Sequence, residues 1–236
     1  MPVGYELRQI MKKAVIILLV VDLLMGLLLL FDGDGQRQNA EVMPVVAAPE
    51  TAVKKIALTF DDGPHPYYTE QLLDGLKERG VVASFFVTGE HVTLHPDVIK
   101  RMHEEGHLIG NHTYSHMQLT ASQKEEFKEE LVATSEVIEE LIGEEVIYVR
   151  PPYGIWDKSL EQELNMIPVL WSIDSLDWCS NDACSVVRRT VEAAGEDEII
   201  LMHDYYENSV TAALAVVDEL LKEDYTFVTV EEILLE

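Results

Sequence analysis

Basic residues are scarce in this chain. Only 17 Lys and Arg stand against 43 Asp and Glu in 236 residues, a formal net charge of −26 at pH 7. So acidic a protein repels phosphate backbones, which sets nucleic acid aside as a partner, and it repels anionic lipid as well. A neutral substrate suits it better. Cysteine is almost missing: Cys179 and Cys184 leave room for one disulfide at most. Outside the cytoplasm the four residues between them would form a short but feasible loop, and a Cys179–Cys184 bridge is the expectation there. No internal repeat is evident. Long apolar runs are lacking too, with one exception near the N-terminus, yet the chain is 47% hydrophobic, enough for about one domain with a substantial core.

The exception is residues 14–31, broken only by Asp22 and Gly26 and preceded by Arg8, Lys12 and Lys13. Its length meets the lower edge of what spans a bilayer, roughly 17–25 residues. Basic residues before it and Asp32 and Asp34 after it orient the chain with residues 1–13 in the cytoplasm and the rest outside. No small-x-small cleavage site follows at once. An uncleaved single-pass membrane anchor is therefore expected over a cleaved, secreted form. Residues 32–53 are polar, aperiodic and Pro- and Ala-containing, a flexible tether to a catalytic domain at 54–236.

From residue 54 on, short apolar runs alternate with helical patterns. Strands are expected at 55–60, 82–87, 108–110, 146–149, 169–173, 199–202 and 226–230. Helices are expected at 69–79 closed by Gly80, from Pro96, at 120–142 opened by a Thr120/Gln123 capping box and stopped by Gly143, and around 157–164, 183–194 and 210–222. Repeated strand–helix units with near-continuous apolar strands specify an α/β fold with a parallel sheet. Seven or so units suggest a distorted (β/α) barrel.

Polar clusters follow five of these strands. Thr59-Phe60-Asp61-Asp62-Gly63-Pro64 places two adjacent carboxylates at a strand end, one able to bind a metal and the other to act as a base. Taken alone it is ordinary turn chemistry. His112 and His116, in Asn111-His112-Thr113-Tyr114-Ser115-His116, lie at i and i+4, a spacing that puts both on one side of a helical turn. With one carboxylate they make a two-nitrogen, one-oxygen set that leaves a position open on a catalytic zinc. Arg150-Pro151-Pro152-Tyr153-Gly154, Asp174-Ser175-Leu176-Asp177-Trp178 and Leu201-Met202-His203-Asp204 complete the five. Each has a bland reading as a salt bridge or turn. In parallel barrels, however, all such loops converge on the face where chemistry sits, and five coincident clusters favour a site.

The five segments, in this order, resemble the signature motifs of the NodB-like polysaccharide deacetylases, carbohydrate esterase family 4, from about Lys54 to the C-terminus. The resemblance implies hydrolysis of N-acetyl groups on sugars with zinc, or cobalt or another divalent ion. Asp61 then resembles the catalytic base, Asp62, His112 and His116 the metal ligands, and Arg150 the residue that holds the base. The Tyr153 backbone amide is similar to the oxyanion donor. His203 resembles the catalytic acid with Asp177 as its partner, and Trp178 and Leu201 the walls of the acetyl pocket. Among substrates the anchor favours the cell's own wall, so peptidoglycan N-acetylglucosamine leads, ahead of chitin-type oligomers, exopolysaccharide or an acetyl-xylan ester. A non-catalytic carbohydrate-binding protein ranks lower, because the Asp/His/His set is intact. A monomeric catalytic domain is expected. His91, His95, His103 and His107 read as structural or solvated, and Tyr205 and Tyr206 equally as groove or packing residues.

Overall fold

A computed structural model describes residues 53–235. The apolar run at 14–31 lies outside the described residues, as does nearly all of the tether. Among the described residues no helix is long and apolar enough to cross a membrane.

Among the described residues, eight strands form one parallel sheet: β1 (Lys54–Asp61), β2 (Ser84–Val87), β3 (Leu108–Asn111), β4 (Tyr148–Val149), β5 (Ile167–Pro168), β6 (Ile173–Asp174), β7 (Glu198–His203) and β8 (Tyr225–Val228). The order is β5-β4-β3-β2-β1-β7-β6. β8 pairs the first half of β1 (Lys54↔Tyr225 to Ala57↔Val228), and β2 takes the same edge from Thr59 onward. Among the described residues no ladder joins β5 to β6, so the barrel is not closed by strand pairing.

Along β1 the burial is continuous from Ile56 to Asp61, as expected of a strand covered on both faces. Its period-two alternation decides which side chains meet the site. Ile56, Leu58 and Phe60 join the main core, whereas Ala57 belongs to the second cluster with Phe86, Tyr148, Val169 and Val230. Thr59 and Asp61 share the parity of Ala57.

The helices are α1 (Tyr68–Arg79), α2 (Gly89–Leu94), α3 (Pro96–Glu104), α4 (Lys124–Ile142), α5 (Ser159–Leu164), α6 (Ala183–Ala193), α7 (Glu207–Lys222) and α8 (Val230–Leu234). α1 buries Thr69, Leu72, Leu73 and Leu76, the i, i+3, i+4, i+7 stripe of a helix lying on a core. It ends at Gly80, whose φ of 64° lets its N–H bond back to Leu76 and Lys77 carbonyls. Gly143 closes α4 in the same left-handed geometry.

Four expectations need correction. α4 starts at Lys124, not Thr120: Thr120 Oγ1 bonds Gln123 Oε1 at 3.0 Å, so the two side chains satisfy each other rather than backbone N–H groups. Residues 169–173 are not one strand, because the chain leaves β5 at Pro168 and enters β6 only at Ile173. The strand expected at 226–230 stops at Val228, and Val230 opens α8, its N–H bonding Ser84 Oγ at 3.0 Å. Cys179 and Cys184 are both free and exposed, with no bridge between them. Cys179 ends a 3-10 turn with its thiol toward the Leu176 carbonyl, while Cys184 sits in the first turn of α6, capped by Asp182.

Candidate active site

Register brings the clusters level. Asp61 pairs with His203 across β1 and β7, Asn111 with Val149 across β3 and β4, and Asp174 with Leu201 across β6 and β7. The residues just after these strand ends therefore converge. A cleft of about 370 Å³ is lined by Asp61, Asp62, His112, His116, Tyr153, Trp171, Asp174, Trp178, Leu201 and His203.

Asp62 Oδ1 lies 3.4 Å from both His112 Nε2 and His116 Nε2, and one ligand atom from each of the three residues falls within 4.8 Å of the others. At 3.4 Å these contacts are too long to count as hydrogen bonds here, and Oδ1 is buried with no hydrogen-bond partner. A buried anionic oxygen facing two imidazole nitrogens is costly without an ion between them. His112 Nδ1–H donates to the Arg150 carbonyl at 2.6 Å, which leaves the Nε2 lone pair facing Asp62. The donor set fits a divalent metal. Burial would raise the Asp62 pKa, but the nearby imidazoles, His112 first and then His203 and His116, hold it at about 2. Burial is the main reason the His116 pKa is lowered, against the opposing pull of Asp62.

The histidine pair does not ride on a helical turn. Thr113 (φ 63°) and His116 (φ 59°) are left-handed, and the segment is a loop. Asn111 Oδ1 accepts the Thr113 N–H at 2.8 Å, and Glu130 of α4 accepts the N–H groups of Tyr114 and Ser115 at 3.1 and 2.9 Å. Gly89 opens α2 against this loop, donating to the Thr113 carbonyl. A Cβ there would fall 2.3 Å from Tyr114 Cδ2, which requires glycine.

Arg150 is completely buried. It donates to Asp61 Oδ1 at 2.8 Å, Thr59 Oγ1 at 2.6 Å, the Val169 carbonyl at 3.1 Å and the Leu170 carbonyl at 3.3 Å. Its guanidinium lies 4.2 Å from the Phe86 ring centre. Burial lowers its pKa and Asp61 opposes the change.

Across the cleft, His203 Nδ1–H donates to Asp177 Oδ1 at 2.9 Å, and Asp177 Oδ2 accepts the His203 backbone N–H at 2.8 Å. Burial pushes the His203 pKa down, but the bond and charge of Asp177, helped by Asp61 and Asp62, raise it to about 9. Burial would raise the Asp177 carboxyl, yet His203 holds it below its usual value. Leu201 is buried in the cleft floor, Trp178 is 57% exposed at its rim, and Tyr153 turns at φ 61° with its ring edge-on to His116. All ten residues expected from the sequence gather here, eight lining the cleft itself, with Arg150 and Asp177 bonded to Asp61 and His203 behind it. Asp174 also lines the cleft and accepts the Leu176 N–H at 2.9 Å, shaping its loop.

Two residues escaped the sequence reading. His91, expected only as structural or solvated, is structural in a specific way: its Nδ1–H donates to the Asp62 carbonyl at 2.8 Å, and its ring stacks on Tyr205. Asp62 adopts φ 75°, and this bond helps hold it there. Asp204 is fully buried, accepts from Thr69 Oγ1 at 2.5 Å, and is pushed by burial to about 7. It packs so closely on Gly63 that a Cβ there would lie 2.3 Å from its carboxylate. An aspartate following a strand-end histidine was the available signal for Asp204. His91 offered none, since its helix, α2, was not foreseen.

The chain belongs to the polysaccharide deacetylases: the family model described as "Polysaccharide deacetylase" matches residues 48–169. The chain is 39% identical over 180 residues to the peptidoglycan-N-acetylmuramic acid deacetylase PdaC of Bacillus subtilis, covering 76% of this chain and 38% of that one. It is 36% identical over 180 residues to the peptidoglycan-N-acetylglucosamine deacetylase PgdA of Listeria monocytogenes, covering 76% and 39%. The chain thus spans less than half the length of these curated relatives. The solved structure of the Bacillus subtilis PdaC deacetylase superposes with a TM-score of 0.75 at 38% identity, over 78% of this chain and 91% of that one.

Proposed function

We propose that this protein removes N-acetyl groups from sugar residues of a polysaccharide in a metal-dependent hydrolysis. Peptidoglycan N-acetylglucosamine is the leading substrate, zinc the leading metal, and the site works outside the cytoplasm on a domain anchored by residues 14–31 and tethered by residues 32–53. The carrying observation is the orphaned Oδ1 of Asp62 between two imidazole nitrogens at 3.4 Å, beside a second, separately held aspartate. The names of the two curated relatives support a wall glycan as substrate, and the basic residues before the apolar run support the orientation.

Asp62, His112 and His116 would hold the metal. A divalent cation there supplies Lewis acidity, making an amide carbonyl more electrophilic and a water more acidic. Asp61 accepts the proton of the attacking water, its carboxylate fixed by Arg150 so that the other oxygen faces the cleft. The Tyr153 backbone N–H supports the developing oxyanion. An amine is a poor leaving group until protonated, and His203, kept cationic by Asp177, delivers that proton through Nε2. Trp178 and Leu201 wall the space for the acetyl methyl.

The test is acetate release from N-acetylglucosamine oligomers and from acetyl-xylan by the zinc-loaded chain and after exhaustive chelation. Turnover of the amide that chelation abolishes and zinc or cobalt restores is expected. Full activity in a metal-free sample, or release from the ester alone, would overturn the reading.

A further inference from the structure

The reaction cleft sits where the strands end, and a different hollow opens where two of them begin. About 330 Å³ in volume, it lies at the first residues of β3 and β4, Leu108 and Tyr148, and shares no lining residue with the cleft. The last turn of α3, the loop after Gly143 and the first turn of α8 complete its wall. It is the size of a site for one small molecule, near the lower end of about 300–1,000 Å³.

His107 is set into this wall and is only 6% exposed. Its Nδ1 accepts the Ala83 N–H at 3.0 Å, and its ring stands edge-on to Phe85. Burial lowers its pKa to about 4 against the opposing charge of Glu105, so the ring is neutral and carries its one proton on Nε2. Among the described residues nothing accepts from that Nε2–H, which leaves a buried donor aimed into the hollow that His107 lines. A buried N–H calls for an acceptor. Close by, Tyr148 Oη donates to Glu231 Oε1 at 3.2 Å and keeps its lone pairs for an incoming donor. Glu231, Glu144 and Glu145 are exposed at the rim, and Glu144 faces His103 Nε2 at 3.9 Å. Ile109, Ile142 and Ile147 supply the apolar part of the wall.

We infer that this hollow binds a hexosamine unit whose amine is free, the product of the reaction proposed above and not its substrate. The ammonium pairs with the rim carboxylates, a ring or hydroxyl oxygen accepts from His107 Nε2–H, and the C–H face of the sugar lies on the isoleucines. An N-acetyl unit brings no charge to these carboxylates and adds an acyl group to a space that one ring fills. The net charge of −26 draws a cationic glycan toward the protein as a whole. The protein then stays attached to stretches it has already deacetylated, while the cleft at the other end of the sheet works on neutral units. That the ligand is the protein's own product rests on the N-deacetylase reading; the amine site does not.

The experiment titrates the full zinc-loaded chain with glucosamine, N-acetylglucosamine and cyclohexylamine, and follows the ring Cε1–H resonance of His107 as the local readout. Glucosamine should shift that resonance saturably, and the other two should bind about tenfold or more weakly, one for want of charge and the other for want of an acceptor. The double variant Glu144→Gln, Glu231→Gln changes two exposed side chains and keeps the Tyr148 contact. It should weaken glucosamine by about tenfold or more and leave acetate release from an N-acetylglucosamine trimer unchanged. A His107 resonance unmoved by glucosamine, equal affinity for either of the other probes, or unchanged glucosamine affinity in the variant would overturn the inference and leave the deacetylase reading standing. Saturable glucosamine binding with no acetate from any glycan would overturn the deacetylase reading, and with it the place of glucosamine as product, while the amine site stands.

Discussion

Asp177→Asn isolates the charge that sets the state of His203. Asn preserves the volume and can still accept from Nδ1–H, but it removes the anion 2.9 Å from the imidazole. Burial lowers the His203 pKa, and Asp177 leads the groups that reverse this and raise it from 6.5 to about 9. At 1.36 kcal/mol per pKa unit, that rise is worth roughly 3 kcal/mol of preference for imidazolium in the folded protein. Because the folded pKa lies above the unfolded one, the linked stability is fully present below about 6.5 and is lost as pH climbs through about 9. In the metal-free chain the ring Cε1–H resonance of His203 should titrate near 9, and in Asp177→Asn it should fall to 6.5 or below. Urea unfolding of the metal-free wild type should weaken between about pH 6 and about pH 10 by an increment of this order that the variant lacks. The zinc-loaded variant should lose roughly 10²–10⁴-fold in kcat, the range of a displaced general acid. A wild-type His203 that titrates near 6.5, or a variant that still titrates near 9, would refute the assignment of Asp177 as the source.

Three further outcomes are expected. Asp61→Asn should keep its metal and lose about 10²–10⁴-fold in kcat, while Asp62→Ala loses metal affinity itself; equal loss of affinity in a zinc titration would sink that division of labour. Arg150→Met should strand the buried Asp61 carboxylate and two carbonyls, costing about 3–5 kcal/mol in denaturant unfolding, and a loss under 1 kcal/mol would show that the network is dispensable. His91→Phe should keep the stack on Tyr205 but remove the donor to the Asp62 carbonyl, weakening zinc binding by about 10–100-fold; unchanged affinity by calorimetry would leave His91 a packing residue.

How much of this was legible in the sequence depends on whether the deciding interaction is local. β1 could be read because a run such as Ile56-Ala57-Leu58 is explicable only by burial on both faces, and α1 and α4 ended where Gly80 and Gly143 said they would. Asp62, His112 and His116 were found although the backbone expected for the histidines was wrong. The i, i+4 spacing delivered both rings to one carboxylate oxygen of Asp62, but through left-handed turns at Thr113 and His116 that answer to Asn111 and Glu130. His91 was out of reach because its partner is a carbonyl 29 residues away, visible only once α2 is docked.

The failed strand at 169–173 belongs to the same argument, and it joins the fold to the site. Val169, Leu170 and Trp171 look like strand residues, and Val169 does donate to the Val149 carbonyl at 2.8 Å as a continued ladder would. Its own carbonyl, however, and that of Leu170 accept from Arg150. A buried carbonyl must find a donor, and here a side chain supplies what a neighbouring strand would otherwise give. The segment leaving β5 is thus held by the guanidinium that also grips Asp61 and Thr59, and Thr59 passes the contact to the Ile200 carbonyl of β7 at 2.6 Å. One fully buried arginine ties the segment after β5 to β1 and orients the Asp61 carboxylate. The irregular segment follows from that dual duty, since pairing β5 directly with β6 would leave the Arg150 donors without these acceptors and Asp61 without its anchor.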